Sequence, residues 1–121
     1  MKIAAIALIV FGLSGCGRGV IKHWEDGKYL VYTRPDSREI IMGHSMGEGA
    51  ILGLSETTVV SAGSDARHVV FSRKPGSGGV EHYYIEKMPG SEGKVSGPFT
   101  PGEYNAIATR LALPAYSWHL K

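Results

Sequence analysis

Three sets of residues in this chain have the types from which chemistry is built. The first is Gly43-His44-Ser45-Met46-Gly47-Glu48-Gly49, which fits the pattern G-x-S-x-G. That spacing can hold a serine on a sharp turn between a strand and a helix, its hydroxyl exposed for attack on an ester carbonyl. The second is a set of five histidines, of which His68 and His82 could face each other across a hairpin and hold a metal. The third is Cys16, the single cysteine, which closes an apolar run near the start of the chain.

A serine nucleophile needs supporting elements, and these are missing around Ser45. Glu39 to Met42 can supply the strand, but Gly49 and Gly53 weaken a following helix, and Thr57-Thr58-Val59-Val60 returns to strand composition. In α/β-hydrolases, which use this motif, the acid and histidine follow the serine; Asp65 with His68, His82 or His119 satisfies that order in type alone. Their mostly parallel sheet also needs a crossover helix for each connection, and only one convincing helix follows Ser45. The segment therefore reads as a glycine-rich hairpin loop joining Arg38–Met42 to Ala50–Leu54, and the protein as a non-enzyme.

The histidines follow no H-x-x-x-H or H-E-x-x-H spacing, so His68 and His82 read as half-exposed sheet residues, and no metal or other cofactor is expected. Glu81 and Glu86 read as solvated strand residues, and no glycine run precedes a G-K-S/T phosphate signature. The 13 lysines and arginines, one of them Lys2, stand against 11 acidic residues. They form no basic stripe, so no nucleic acid partner is expected.

The first residues have a different logic. Lys2 precedes the apolar run from Ile3 to Leu13, which is shorter than the roughly 20 residues a bilayer span needs but suits the apolar region of a secretory signal. It ends in Leu13-Ser14-Gly15-Cys16. That stretch resembles the lipobox of bacterial lipoproteins. The resemblance implies cleavage between Gly15 and Cys16, diacylation of the Cys16 sulfur and acylation of its new amino terminus. Two or three acyl chains anchor stably where one gives marginal binding. Gly17 after the cysteine implies, for a Gram-negative source, the outer membrane facing the periplasm. Residues 1–15 are thus expected to be a signal peptide, 16–19 a lipidated tether and 20–121 one folded domain whose only attached group is the lipid on Cys16.

That domain reads as α+β: an antiparallel meander of about five to seven strands with one C-terminal amphipathic helix packed on it. Candidate strands are Val20–Trp24, Lys28–Thr33, Arg38–Met42, Ala50–Leu54, Thr57–Ala62, Arg67–Ser72 and Val80–Glu86, separated by turn residues. In the last, Val80, His82 and Tyr84 share one face while Glu81, Tyr83 and Ile85 share the other, and the mixture leaves open which is buried. Pro89–Gly97 reads as a solvated loop. Thr100-Pro101-Gly102-Glu103 forms a capping box with proline at the first helical position, flanked by Phe99 and Tyr104 as a hydrophobic staple. Pro114 ends the helix.

Trp24, Tyr29, Tyr32, Tyr83, Tyr84, Tyr116 and Trp118 are many aromatics for so small a domain, and Tyr and Trp are enriched in interface hot spots. The residues offered to a partner are Tyr116 and Trp118 of the tail and His44 and Ser45 of the loop; the tail either does this or packs back on the sheet. The leader, the short β-rich domain and the Gly97-Pro98-Phe99-Thr100 approach to the last helix together resemble small β-rich bacterial lipoproteins, some of which are periplasmic immunity proteins. The resemblance implies a membrane-anchored protein-binding module, an immunity protein against an antibacterial effector. The alternatives are a structural lipoprotein of an envelope or secretion assembly and a serine esterase using Ser45.

Overall fold

The computed structural model describes residues 20–76 and 78–121. The expected signal peptide, the lipobox-like stretch and Cys16 lie outside the described residues. Strands β1 (Ile21–Asp26), β2 (Tyr29–Thr33), β3 (Ile40–Gly47) and β4 (Ala50–Gly53) pair in sequence order as a first sheet. Strands β5 (Val59–Ser64), β6 (His68–Arg73), β7 (Glu81–Glu86) and β8 (Lys94–Phe99) form a second. After helix α1 (Pro101–Leu111), β9 (Trp118–His119) returns to the open side of β5, so that sheet runs β8-β7-β6-β5-β9. Every pairing is antiparallel.

The two sheets share one core. Tyr29, Val31 and Met42 from the first face Val59, Ala62, Val69, Phe71 and Ile85 from the second, with Trp24, Tyr83 and Trp118 packed around them. Alternation along each strand sends these side chains inward. Phe71, Met42, Ile85, Val31, Val59 and Val69 are fully buried, and each contributes about 1.5–3 kcal/mol by leaving water. At one end the sheets are clasped by polar contacts: Ser64 Oγ donates to Asp26, which Lys87 Nζ also meets at 3.3 Å. The hydroxyl of Tyr29 donates to the carbonyl of Glu92 at 2.9 Å.

The outward faces are covered too. On the first sheet Leu30, Tyr32 and Ile41 are buried beneath Val20 and Ile51. Gly43 lies between them, and a Cβ there would come within 2.7 Å of both Ile51 and Tyr32. On the second sheet α1 and the segment after it lie over Ser61, Ser72 and His82, which are aligned across β5, β6 and β7.

The expected predominance of antiparallel strands and the single C-terminal helix are present, but a meander of five to seven strands is not the arrangement. Among the described residues nine strands divide between two sheets. The segment read as the Pro89–Gly97 loop contains most of β8, where Pro98 is tolerated because β8 is an edge strand. Both faces of β7 are used, which accounts for its mixed composition: Tyr83 and Ile85 join the core while His82 and Tyr84 lie on the helix side.

The start of α1 follows its sequence grammar. Glu103 N–H donates to Thr100 Oγ1 at 3.2 Å, and Thr100 N–H donates to Glu103 Oε1 at 2.9 Å. The staple pair reaches to the sheet: Phe99 stacks on Tyr84 and Tyr104 on His82, with centroids 6.0 and 4.6 Å apart. The helix ends at Leu111, with Ala112 in the left-handed conformation at φ 54°, before Pro114 is reached.

Candidate functional site

Ser45 lies in the interior of a strand. The G-x-S-x-G segment continues β3 through Gly47, and the turn is confined to Glu48 and Gly49, at φ 56° and 82°, before the chain returns as β4. A hairpin is present as expected, but its loop is shorter than the sequence suggested, because Gly43, His44 and Ser45 pair with Gly53, Leu52 and Ile51. The arrangement at Ser45 is strand-turn-strand, without the helix of a nucleophile elbow. Ser45 Oγ accepts from Gly47 N–H at 3.5 Å. The adjacent His44 projects to the other face, buried edge-on against Tyr29 with centroids 4.9 Å apart. Asp65 accepts the backbone N–H groups of Arg67 and His68.

The aromatic tail packs back on the second sheet. Trp118 pairs with Ala62 and packs against the core, its ring 5.8 Å from that of His23. Tyr116 shares a 2.6 Å hydrogen bond with His82 Nδ1 and lies 6.0 Å from the Tyr104 ring. Burial pushes the Tyr116 phenol far above its ordinary range, reinforced by the neighbouring Tyr104, and holds the His82 imidazole below its own. This cluster is a closed joint. The residues offered to a partner are therefore not gathered on one surface: Tyr116 and Trp118 belong to the tail joint and the core, His44 to the interior, and Ser45 to the outward face of β3.

The histidine pair is corrected by register. His68 stands opposite Glu86 and His82 opposite Ser72, at different ends of the β6–β7 ladder. Among the described residues no three His, Cys, Asp or Glu side chains converge as metal ligands do.

The side of the sandwich formed by β4 and β8 is different in character. Met42 receives the Leu54 N–H and donates to Ser55 Oγ, so it addresses β4, and Ser45 N–H donates to Lys28, so it addresses β2. By antiparallel alternation His44 also addresses β4, where its partner is Leu52. Ile51 and Gly53 must then direct their N–H and C=O groups away from the sheet. Next to this open edge lies a cleft of about 560 Å³ lined by Gly53, Leu54, Glu56, Arg73, Glu81 and Tyr83, among others.

Inside the cleft Arg73 is held by three groups from two segments, β7 and the stretch before β5. Its Nε lies 3.1 Å from Glu81 Oε1 and 3.2 Å from the Tyr83 hydroxyl, and Nη1 donates to the Thr57 carbonyl. Burial alone would lower the Arg73 pKa, but the Tyr83 hydrogen bond and the Glu81 charge outweigh it and raise it. Glu56 stands at the rim, 3.7 Å from Nη2, with 86% of its side chain exposed. Two carboxylates thus answer one guanidinium. Sequence reasoning missed this group because Glu56, Arg73, Glu81 and Tyr83 follow no motif. One signal was available: between Arg38 and Arg67 the chain has no lysine or arginine while carrying Glu39, Glu48, Glu56 and Asp65.

No protein family, curated protein or solved structure matches the chain.

Proposed function

We propose that the protein is a lipid-anchored lipoprotein of the bacterial envelope whose β-sandwich acts by binding a protein partner, with no chemistry of its own. The observation that carries the binding half is the open edge of β4, a strand whose outward N–H and C=O groups at Ile51 and Gly53 are available to another chain beside a charged cleft. The anchoring half rests on Leu13-Ser14-Gly15-Cys16 at the end of the apolar leader. With acyl groups on Cys16 and β1 starting at Ile21, the tether reaches at most about 18 Å at 3.3–3.6 Å per residue. A partner would meet the domain close to the membrane. An antibacterial effector neutralised in the periplasm is the partner class proposed, in keeping with the likeness to immunity lipoproteins.

Two measurements test this. Metabolic labelling with a palmitate analogue should mark the native chain, and Cys16→Ala should abolish both label and membrane association. Photocrosslinking residues placed in turn at Leu52, Val95 and Leu120, three exposed positions on different edges, should yield a discrete protein adduct in living cells. Membrane retention of Cys16→Ala would overturn the anchor, and the absence of an adduct at any edge would overturn the binding role.

A further inference from the structure

The sandwich has four strand edges, and three of them carry features that discourage pairing with another chain. β1 has a register shift between Lys22 and Trp24 and bears Lys22 and Glu25, paired at 3.4 Å. β8 contains Pro98 and Lys94, and its ladder with β7 is irregular between His82 and Tyr84. β9 is two residues long. Bulges, charges, proline and shortness are the devices by which natural sheets protect their edges. The fourth edge, although only four residues long, carries no charge, proline or bulge along its length. β4 reads Ala-Ile-Leu-Gly, and the only irregularity in its ladder lies at the hairpin end, between Ser45 and Gly47 of β3.

An unprotected edge is an aggregation hazard unless something covers it. Charge identifies what would. Glu48 lies exposed at the hairpin tip just before β4, and Glu56 lies exposed just beyond its end, where the cleft opens. No lysine or arginine occurs from Glu39 to Ala66, and the Arg73 charge in the cleft is already met by Glu81. A second copy of the chain, added antiparallel, would bring its own Glu48 and Glu56 to these same two ends. Like charges placed opposite one another across strands are destabilising.

We propose that β4 receives an extended, cationic segment of a partner protein as an added antiparallel strand. Backbone groups of Ile51 and Gly53 would supply the ladder, and basic residues flanking the added strand would meet Glu48 at one end and Glu56 at the other. In strand addition the main chain supplies affinity and the flanking side chains supply specificity. This assignment rests on the protein being a partner-binding lipoprotein, and it names the surface and the chemistry of that partner.

The test uses the full chain in detergent micelles with two synthetic probes, Lys-Lys-Val-Thr-Val-Thr-Val-Lys-Lys and the same peptide with glutamate at all four lysine positions. Hydrogen exchange at the Ile51 and Gly53 amides is the readout, with the amides of β8 as the internal control. The cationic peptide should slow exchange at Ile51 and Gly53 at least tenfold and leave β8 unchanged, and the anionic peptide should do neither. E48K/E56K, two exposed changes that leave the ladder intact, should reverse this preference, and raising the salt should weaken it. Leu52→Lys is a second variant, at an exposed position of the strand itself, and should lower the cationic peptide's affinity by about the same factor. Equal protection by both peptides, protection of β8 in place of β4, or no protection at all would overturn the assignment. Should any of these occur while cellular crosslinks form at Val95 or Leu120, the protein is a binding module that uses another face. If no edge yields a crosslink, the binding role itself fails.

Discussion

The β5 edge of the second sheet and the β4 edge of the first pose the same problem, a strand with backbone groups left over, and the chain resolves only one of them. Along β5 the tail turns back as β9: Ser117 N–H donates to the Ala62 carbonyl and Leu120 N–H to that of Val60, both at 2.8 Å. The space over Gly63 is so tight that a Cβ would lie 2.1 Å from the Ala115 carbonyl oxygen. Tyr104, His82 and Tyr116 then fill the remaining gap with stacked rings. Along β4 nothing among the described residues performs that service. The difference separates residues that hold the molecule together from residues free to be read by something else, although both regions are rich in glycine and aromatic or apolar side chains.

Substitutions should divide along the same line. The largest effect is expected at Gly63→Val, which places a branched side chain against the backbone of the tail. Overpacking on this scale costs about 3 kcal/mol, so urea denaturation should show a strongly lowered midpoint or a tail that no longer docks. A stability within experimental error of the native protein would mean that the tail joint is not what closes the second sheet. Tyr116→Phe should come next, at about 1–2 kcal/mol, because it removes one hydroxyl and leaves the His82 nitrogen without its partner.

The same joint gives the fold a pH dependence. The His82 pKa is depressed by burial below the ordinary histidine value of 6.5, so the unfolded chain binds more protons over the interval between the two values. Stability is then fully present above 6.5 and is lost as pH falls through the folded value. Urea midpoints should rise as the pH is raised towards 6.5 and level off above it, and His82→Phe, which keeps a stackable ring, should flatten that slope. Asp26 acts in a separate, more acidic window. Hydrogen bonding from Ser64 and then the Lys87 charge outweigh burial and hold its pKa below 3.8, so its contribution disappears only below that value.

A smaller loss, about 1 kcal/mol, is expected for Thr100→Ala, which removes the capping box that starts α1. The smallest belongs to the open edge. Leu52→Lys should change stability by no more than about 0.5 kcal/mol, the usual range for a surface substitution. A large loss at Leu52 would show that the β4 edge is structural after all and would erase the contrast with β5.

Local signals survived the fold where the interactions themselves were local. The capping box of Thr100 and Glu103 forms because both partners lie within one turn, and the first seven strands appear close to their expected positions because apolar and β-branched runs between turn residues need only a pleated surface. β8 was hidden because Lys94, Gly97 and Pro98 have poor strand propensity, and its pairing with β7 is a long-range gain that propensity does not record. The same limit applied to the serine motif. Gly43 is conformationally ordinary and is small because Tyr32 and Ile51 close over it, so a glycine spacing that resembled a catalytic turn reflects side-chain packing on a sheet.

By itself the sequence determined a predominantly antiparallel β protein with a capped helix in its C-terminal part, since the alternation of side chains and the reach of a capping side chain are properties of a few consecutive residues. It also displayed the lipobox-like stretch Leu13-Ser14-Gly15-Cys16 from which an anchored protein is proposed. Only the tertiary structure decided that the strands split into two sheets, that Tyr116 and Trp118 turn inward, and that β4 is left bare between Glu48 and Glu56. Those outcomes depend on which strand finds which neighbour across tens of residues. Burial and backbone pairing select among such arrangements only when the whole chain competes for them.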